Sequence, residues 1–125
     1  MSALSTFFLV CLGGTAGTAA RYLIVLAFND ALSPRHSPLA ILVVNVIGSF
    51  AIGFIVPWGL RHSLSPSTMA ALTTGVLGGF TTYSAFNYDL TAFLSSGDWI
   101  KGISYLSATV VGGLLAGFAG MYLGR

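Results

Sequence analysis

The stretch that decides the fold is Gly75-Val76-Leu77-Gly78-Gly79-Phe80-Thr81-Thr82-Tyr83-Ser84-Ala85-Phe86, in the middle of the third of four apolar segments. Three glycines and then two threonines stand where a membrane span would ordinarily be an uninterrupted helix, and glycine costs about 1 kcal/mol in a helix relative to alanine. In lipid, a helix break is tolerated only where the freed backbone groups are buried in protein or face water. The stretch therefore predicts either a broken membrane helix at an ion or substrate site, or a glycine face for close helix packing.

The composition is that of an integral membrane protein. The chain has 125 residues with a mean hydropathy of +0.88, and 6% of them are charged, against about 25% in soluble domains. A net charge of +2 is too small to favour nucleic acid as a partner, and the lipid bilayer is the expected surrounding. The single cysteine, Cys11, cannot form an internal disulfide.

Four apolar segments are long enough to span a bilayer, which takes about 20 helical residues. They run from about Leu4 to Phe28, Leu39 to Leu60, Met69 to Leu94 and Ile103 to Leu123. We therefore predict one all-α membrane domain covering residues 1–125, with four transmembrane helices and the third broken at its centre. Pro57 is expected to kink or end the second helix. Ser65, Ser67 or Thr68 is expected to cap the third, with Pro66 in its first turn.

The charges outside the spans give almost no positive-inside bias. Arg61 and Arg125 lie on the side of the termini, and Arg35 and Lys101 lie on the other side. The balance is two against two, or two against three if Arg21 is included. Such a balance predicts dual topology, in which copies insert both ways and form an antiparallel dimer, and a twofold dimer is the commonest closed assembly.

Polar residues inside the spans are candidates for function. Asn45 costs free energy at membrane depth unless its amide finds partners, so it is either glue between helices or an anion donor with two N–H groups. Arg21 either extends to the nearer interface or places positive charge at the mouth of an anion path. Asp89 is the only acid predicted inside a span, and an intramembrane carboxylate is by default a functional hypothesis. It lies either near the interface or against a helix that donates a hydrogen bond to it.

Three further patterns have a packing interpretation beside the functional one. Tyr83 and Phe86 lie three residues apart on one helical face, where aromatic residues more often pack than bind a ligand. Gly13 and Gly17 have the spacing that permits close backbone contact between helices. Hydroxyl residues early in the fourth helix, Thr109 among them, could add to a polar path or serve packing alone.

Together these residues resemble the Fluc family of small bacterial fluoride channels, and the resemblance covers essentially the whole chain. The motifs that carry it are Gly13-Gly14-x-x-Gly17 with Arg21-Tyr22, Asn45-Val46-x-Gly48-Ser49-Phe50, and Gly75-x-x-Gly78-Gly79-Phe80-Thr81-Thr82-Tyr83-Ser84-Ala85-Phe86. The resemblance implies a multi-pass protein of the bacterial inner membrane. It also implies an antiparallel homodimer of dual topology, with two fluoride pores near the subunit interface.

The resemblance also implies roles for particular residues. Asn45 would donate hydrogen bonds in the pore, and Tyr83 and Phe86 would present ring edges to fluoride. Backbone carbonyls of Gly78 and Thr81 from both subunits would hold a structural Na⁺ on the twofold axis. The other positions in or beside the polar path and its vestibule are Ser84, Arg21 and Asp89.

The chain departs from the family pattern in three places. Tyr83 stands where the family usually has a phenylalanine, so its hydroxyl replaces one edge hydrogen and needs a partner. Ala85 stands where threonine is usual, and Gly113 and Gly117 stand where hydroxyl residues are expected. These losses of hydroxyl groups leave open an assembly with a second, paralogous subunit.

Two other functions are compatible with a chain of this size. A small proton-coupled drug antiporter requires a carboxylate deep in a membrane helix, and Asp89 is the only candidate. A non-transporting subunit of a heteromeric membrane assembly would leave the polar Asn45 and the glycine-rich centre to packing. An enzyme is not expected, because no nucleophile–base pair or metal-ligand cluster is present and His36 and His62 both fall in predicted loops.

Overall fold

The chain is helical in the parts that the computed structural model describes, residues 2–32 and 37–125, and no strand occurs in those ranges. The α-helices are α1 (Ala3–Leu32), α2 (Pro38–Arg61), α3 (Pro66–Ala70), α4 (Gly78–Phe80), α5 (Tyr83–Ser95) and α6 (Trp99–Gly124). A π-helical segment, Ala71–Leu77, joins α3 to α4. The all-α prediction is confirmed, whereas Arg35 and His36, which entered the sequence arguments, lie outside the described residues.

Within the described ranges, three helices are long and apolar enough to cross a membrane: α1, with its candidate span at Ala3–Asn29, and the whole of α2 and α6. The remaining apolar segment, residues 66–95, is divided into α3, the π-helical segment, α4 and α5, and we call it the divided segment. Its longest helix, α5, has 13 residues, fewer than the roughly 20 that a span requires.

Local sequence explains where the middle helices begin. Pro38 stands in the first turn of α2, where its missing N–H has no intrahelical partner to lose. The Ser65 side chain accepts a hydrogen bond from the Thr68 N–H at 3.1 Å, and Pro66 occupies the first turn of α3. The expected cap and proline are therefore confirmed.

Pro57 does not end α2, which continues to Arg61. The expectation that it ends the helix is wrong on that point. A proline removes one backbone hydrogen bond, and in this helix the loss falls close to the C-terminus. The Arg61 guanidinium donates there to the backbone carbonyl of Arg125, which directly follows α6, so the last turn of α2 is joined to the end of a neighbouring helix.

Glycines bring α1 into backbone contact with the divided segment. A Cβ atom on Gly17 would clash with the carbonyl oxygen of Val76, and one on Gly75 would lie 2.7 Å from the carbonyl oxygen of Val10. The close-approach interpretation of the Gly13–Gly17 pair is thereby confirmed for α1. Close packing of the glycines does not exclude a functional site, because the centre of the divided segment also has polar features, which are described below.

The second close packing joins α2 to α6. A Cβ on Gly120 would clash with the carbonyl oxygen of Phe50, and one on Gly117 would meet the carbonyl oxygen of Ser49 at 3.7 Å. A small buried cluster at the other end of the molecule consists of Ile41 of α2, Phe86 of α5 and Tyr105 of α6. The divided segment is therefore in contact with α1 and with the α2–α6 pair.

The backbone is extended at the step between α4 and α5. Thr81 has φ −85° and ψ 159°, and Thr82 has φ −153° and ψ 116°. The Thr82 hydroxyl accepts a hydrogen bond from the Ala85 N–H at 3.3 Å and so caps α5. The helical hydrogen-bond ladder is interrupted at this step, and its freed backbone groups require other partners.

Candidate functional site

An open cavity of about 570 Å³ lies between α2, the divided segment and α6. Five of the residues singled out from the sequence border it; they are Asn45, Gly78, Thr81, Tyr83 and Phe86. Other polar side chains on its wall are those of Ser49, Thr82 and Thr109. The remaining candidates, Arg21, Ser84 and Asp89, do not border this cavity.

The side-chain amide of Asn45 is paired with the backbone of Thr82. The Thr82 N–H donates to Asn45 Oδ1 at 2.9 Å, and Asn45 Nδ2 donates to the Thr82 carbonyl at 3.0 Å. Because the backbone N–H can be satisfied only by the amide oxygen, this pair determines which end of the amide is which. One N–H of Nδ2 is used on Thr82 and the second remains for another acceptor; Asn45 itself borders the cavity.

The same hydrogen bonds change the state of two backbone carbonyls. In a continuous α-helix the Thr82 N–H would donate to the Gly78 carbonyl four residues earlier, but it donates to Asn45 Oδ1 instead. Likewise the Ala85 N–H donates to the Thr82 hydroxyl and not to the Thr81 carbonyl. The carbonyls of Gly78 and Thr81 are therefore among those that lose their helical donors at this step.

Arg21 lies on the opposite side of the step, on α1. Its Nη1 donates to the Thr81 carbonyl at 3.3 Å, and the Thr18 hydroxyl one turn earlier lies 3.5 Å from the Gly79 carbonyl. The guanidinium thus contacts the divided segment and is half-buried. This contact places Arg21 beside the helix step, and a positive charge at the mouth of an anion path stays a prediction.

The two aromatic residues of the site differ in environment. Phe86 is buried and packs on the ring of Tyr105, with ring centroids 5.3 Å apart. The Tyr83 side chain is 76% exposed, and its ring centroid lies 5.9 Å from that of Phe86. Phe86 therefore both packs against Tyr105 and borders the cavity, whereas Tyr83 projects from the surface of the single chain.

Asp89 and Ser84 lie away from the cavity wall. Asp89 is buried on α5, and one of its carboxylate oxygens accepts a hydrogen bond from the Tyr105 hydroxyl of α6 at 3.3 Å. This is the interhelical acceptor that was one of the two alternatives for Asp89. The hydroxyl of Ser84 is exposed and lies 3.3 Å from that of Thr82.

Thr109 is the site residue that sequence reasoning underrated. Its Oγ1 is buried, and no hydrogen-bond partner is found for it within the described ranges. A buried hydroxyl without a partner costs about 1–3 kcal/mol, and Thr109 also borders the cavity, so its hydroxyl is a candidate donor there. Its position in a glycine-rich helix carried no signal that separated it from the neighbouring serines.

These features define a class of protein: a small helical membrane protein with a largely apolar cavity that carries a few polar groups beside an interrupted helix. The model of the family described as "CrcB-like protein, Camphor Resistance (CrcB)" matches residues 8–121. The chain therefore belongs to the CrcB-like family.

Several curated relatives resemble the chain over nearly its whole length, and each is named "Fluoride-specific ion channel FluC". The protein of Prosthecochloris aestuarii is 41% identical over 122 residues, which cover 97% of this chain and 94% of the relative. That of Anaeromyxobacter sp. is 44% identical, covering 94% and 93%, and that of Rhizobium meliloti is 43% identical, covering 94% of each. Relatives of this kind are channels and not enzymes, which confirms the expectation that the chain has no enzymatic activity.

Proposed function

We propose that the protein is a fluoride-selective passive channel that exports cytoplasmic F⁻ and so relieves fluoride toxicity. The observation that carries the proposal is the Asn45 amide, which borders the cavity and spends one of its two Nδ2 N–H groups on Thr82. The names of the relatives support the choice of ion. Hydrogen fluoride enters cells at acid pH and dissociates inside, so a leak for the anion lowers its concentration there.

The donors around the cavity suit a small, strongly hydrated anion. A pore for fluoride must replace water with good hydrogen-bond donors, and the Asn45 amide and the Thr109 hydroxyl are neutral donors at the wall. The ring edges of Tyr83 and Phe86 carry partial positive charge. Conduction also requires sites that release the ion, and Arg21, whose Nη1 donates to the Thr81 carbonyl, does not itself border the cavity.

A second copy in antiparallel orientation would close the cavity. The cavity is open in the single chain, and Tyr83 and Gly78 on its wall are exposed. The near-equal distribution of positive charge favours insertion in both orientations. In such a homodimer each copy contributes one wall to each of two pores, and a paralogous subunit could take the place of the second copy.

The freed carbonyls of Gly78 and Thr81 fit a structural Na⁺ at the dimer axis. Both residues border the cavity, and both have lost their helical donors to side chains. Two carbonyls from each copy would supply four hard oxygen ligands without a charged side chain, the ligand type that alkali cations take in proteins. A cation there would also favour an anion in the neighbouring pores.

The membrane in question is the inner, cytoplasmic membrane of a bacterium. Three helices of spanning length and relatives from bacteria support this location. Export of an ion that accumulates in the cytoplasm requires a channel in that membrane.

The test is anion efflux from liposomes that contain the purified protein, with fluoride and chloride measured side by side. Rapid F⁻ efflux without Cl⁻ efflux is the expected result. Absence of both from a folded, inserted protein would overturn the homodimeric channel and leave a heteromeric assembly or a non-transporting subunit. Efflux of both ions at similar rates would overturn fluoride selectivity.

The antiporter alternative is not favoured by the position of its required carboxylate. Asp89 is buried against Tyr105 and does not border the cavity. Proton-coupled exchange requires an acid that alternates between the proton and a cationic substrate, which access from a cavity would permit. The same liposomes loaded with a pH indicator would show substrate-driven proton movement if that alternative held.

A further inference from the structure

We infer that Asn45 and Thr82 act together as positioning residues for a cation, because their side chains remove the helical donors from the Gly78 and Thr81 carbonyls. The inference rests on the proposed function, in which those carbonyls hold Na⁺. It adds that Asn45, which borders the anion cavity, also builds the cation site.

The first step concerns the Gly78 carbonyl. The Thr82 N–H is the donor that a continuous helix would supply to it, and Asn45 Oδ1 takes that N–H at 2.9 Å. The return bond from Asn45 Nδ2 to the Thr82 carbonyl, 3.0 Å long, holds the amide in place. Without the Asn45 amide, the Thr82 N–H would be an unsatisfied donor, and the nearest helical acceptor for it is the Gly78 carbonyl.

The second step concerns the Thr81 carbonyl. The Thr82 hydroxyl accepts from the Ala85 N–H at 3.3 Å, which removes the helical donor of Thr81. The Arg21 guanidinium donates one hydrogen bond to this Thr81 carbonyl, at 3.3 Å. A carbonyl oxygen has two lone pairs, so the Arg21 contact leaves one of them for a further partner.

The two steps point in the same direction. Each side chain satisfies a backbone N–H that would otherwise bond a carbonyl, and both carbonyls belong to residues on the wall of one cavity. A cation can take the Gly78 carbonyl, and the second lone pair of the Thr81 carbonyl that Arg21 contacts, without first breaking a helical hydrogen bond. Removing either side chain should therefore weaken cation binding, even where the helices themselves stay folded.

The experiment is a titration of the purified protein with NaCl, in which choline chloride keeps the ionic strength constant and thermal unfolding is followed. We expect Na⁺ to raise the midpoint of unfolding of the parent protein. In Asn45→Ala the Na⁺ concentration for half of that effect should rise about tenfold, since the cation must displace a returned hydrogen bond in each copy. Thr82→Val should also raise the half-effect Na⁺ concentration, because the Ala85 N–H would then be available to the Thr81 carbonyl.

The matched control is Thr91→Val, which makes the same substitution on α5. The Thr91 hydroxyl donates to the Asn87 carbonyl at 2.8 Å on an exposed face, and its removal should leave the Na⁺ titration unchanged. A purely structural role for Asn45 or Thr82 would lower the midpoint of unfolding equally in Na⁺ and in choline. The Na⁺-dependent rise in the midpoint of unfolding therefore distinguishes a purely structural role from a role in positioning the carbonyls.

Two results would overturn the inference. One is an unchanged half-effect Na⁺ concentration in both Asn45→Ala and Thr82→Val. The other is the absence of any Na⁺ effect on the parent protein. Fluoride efflux measured on the same preparation distinguishes that second case from failure of the channel proposal, because efflux reports on the anion path and the Na⁺ titration reports on the cation site.

Discussion

The hydroxyl of Tyr105 donates a hydrogen bond across 3.3 Å to a carboxylate oxygen of Asp89, and both residues are buried. The bond joins α6 to α5 at the end of the divided segment, next to the cluster in which Phe86 packs on Tyr105. It is a polar link within an otherwise apolar contact, so its removal should cost more than that of a surface bond.

Replacing Tyr105 with phenylalanine should destabilise the protein by about 1–3 kcal/mol, because a buried carboxyl group loses a donor while the ring is kept. The measurement is the free energy of unfolding in detergent. Tyr122→Phe is the matched control, since Tyr122 lies on the same helix and is 77% exposed. Equal stability of the two variants would show that the Tyr105 hydroxyl contributes nothing.

Replacing Asn45 with aspartate should suppress fluoride efflux. The carboxylate removes both N–H groups of Nδ2, places an oxygen opposite the Thr82 carbonyl 3.0 Å away, and repels an anion in the cavity. The liposome assay measures the effect, and a circular dichroism spectrum of the variant verifies that its helices are intact. Undiminished flux would take Asn45 out of the pore.

Replacing Tyr83 with phenylalanine should keep fluoride efflux or raise it. The side chain is 76% exposed in the single chain, and within the described ranges its hydroxyl has no hydrogen bond to lose. The substitution returns the ring-edge hydrogen that the hydroxyl replaces. Complete loss of efflux from a correctly folded variant would instead show that the hydroxyl is essential.

Replacing Gly17 with alanine should separate α1 from the divided segment. The added Cβ would clash with the Val76 carbonyl oxygen, and backbone atoms cannot rotate away, so we expect destabilisation of about 1–3 kcal/mol. Gly14→Ala is the control one turn earlier, because its Cβ would lie 3.9 Å from the Gly75 carbonyl oxygen, an ordinary contact. Similar unfolding midpoints for the two variants would contradict the tight contact at Gly17.

Composition and apolar length suffice to predict the helical class, because the cost of unpaired backbone groups in lipid leaves few other structures. The partner of the Asn45 side chain, by contrast, cannot be predicted from composition or apolar length. Its amide binds Thr82, 37 residues away along the chain, and a choice between glue and anion donor cannot be made without that contact. The structure shows one amide with groups for both uses.

Spacing also fails to separate residues that share a motif. The spacing of three residues predicts that Tyr83 and Phe86 share one helical face and one environment. In the structure, however, Phe86 is buried against Tyr105 and Tyr83 is exposed. The contact with α6 decides the difference, and it is not encoded in the motif. The π-helical segment Ala71–Leu77 likewise carried no recognisable signal, since its residues are compatible with an α-helix.

The pairing of helices has a consequence for how the chain assembles during synthesis. The tight contacts join α1 to the divided segment and α2 to α6, so neighbours in sequence are not the closest neighbours in space. Thr18 and Gly79, on the two sides of one such contact, are 61 residues apart. Each of the first two helices is therefore synthesised and inserted before the segment that it packs against has been made. Association of the helices is then a late, non-local event, and glycine faces that fit only one backbone select the right partner at that stage.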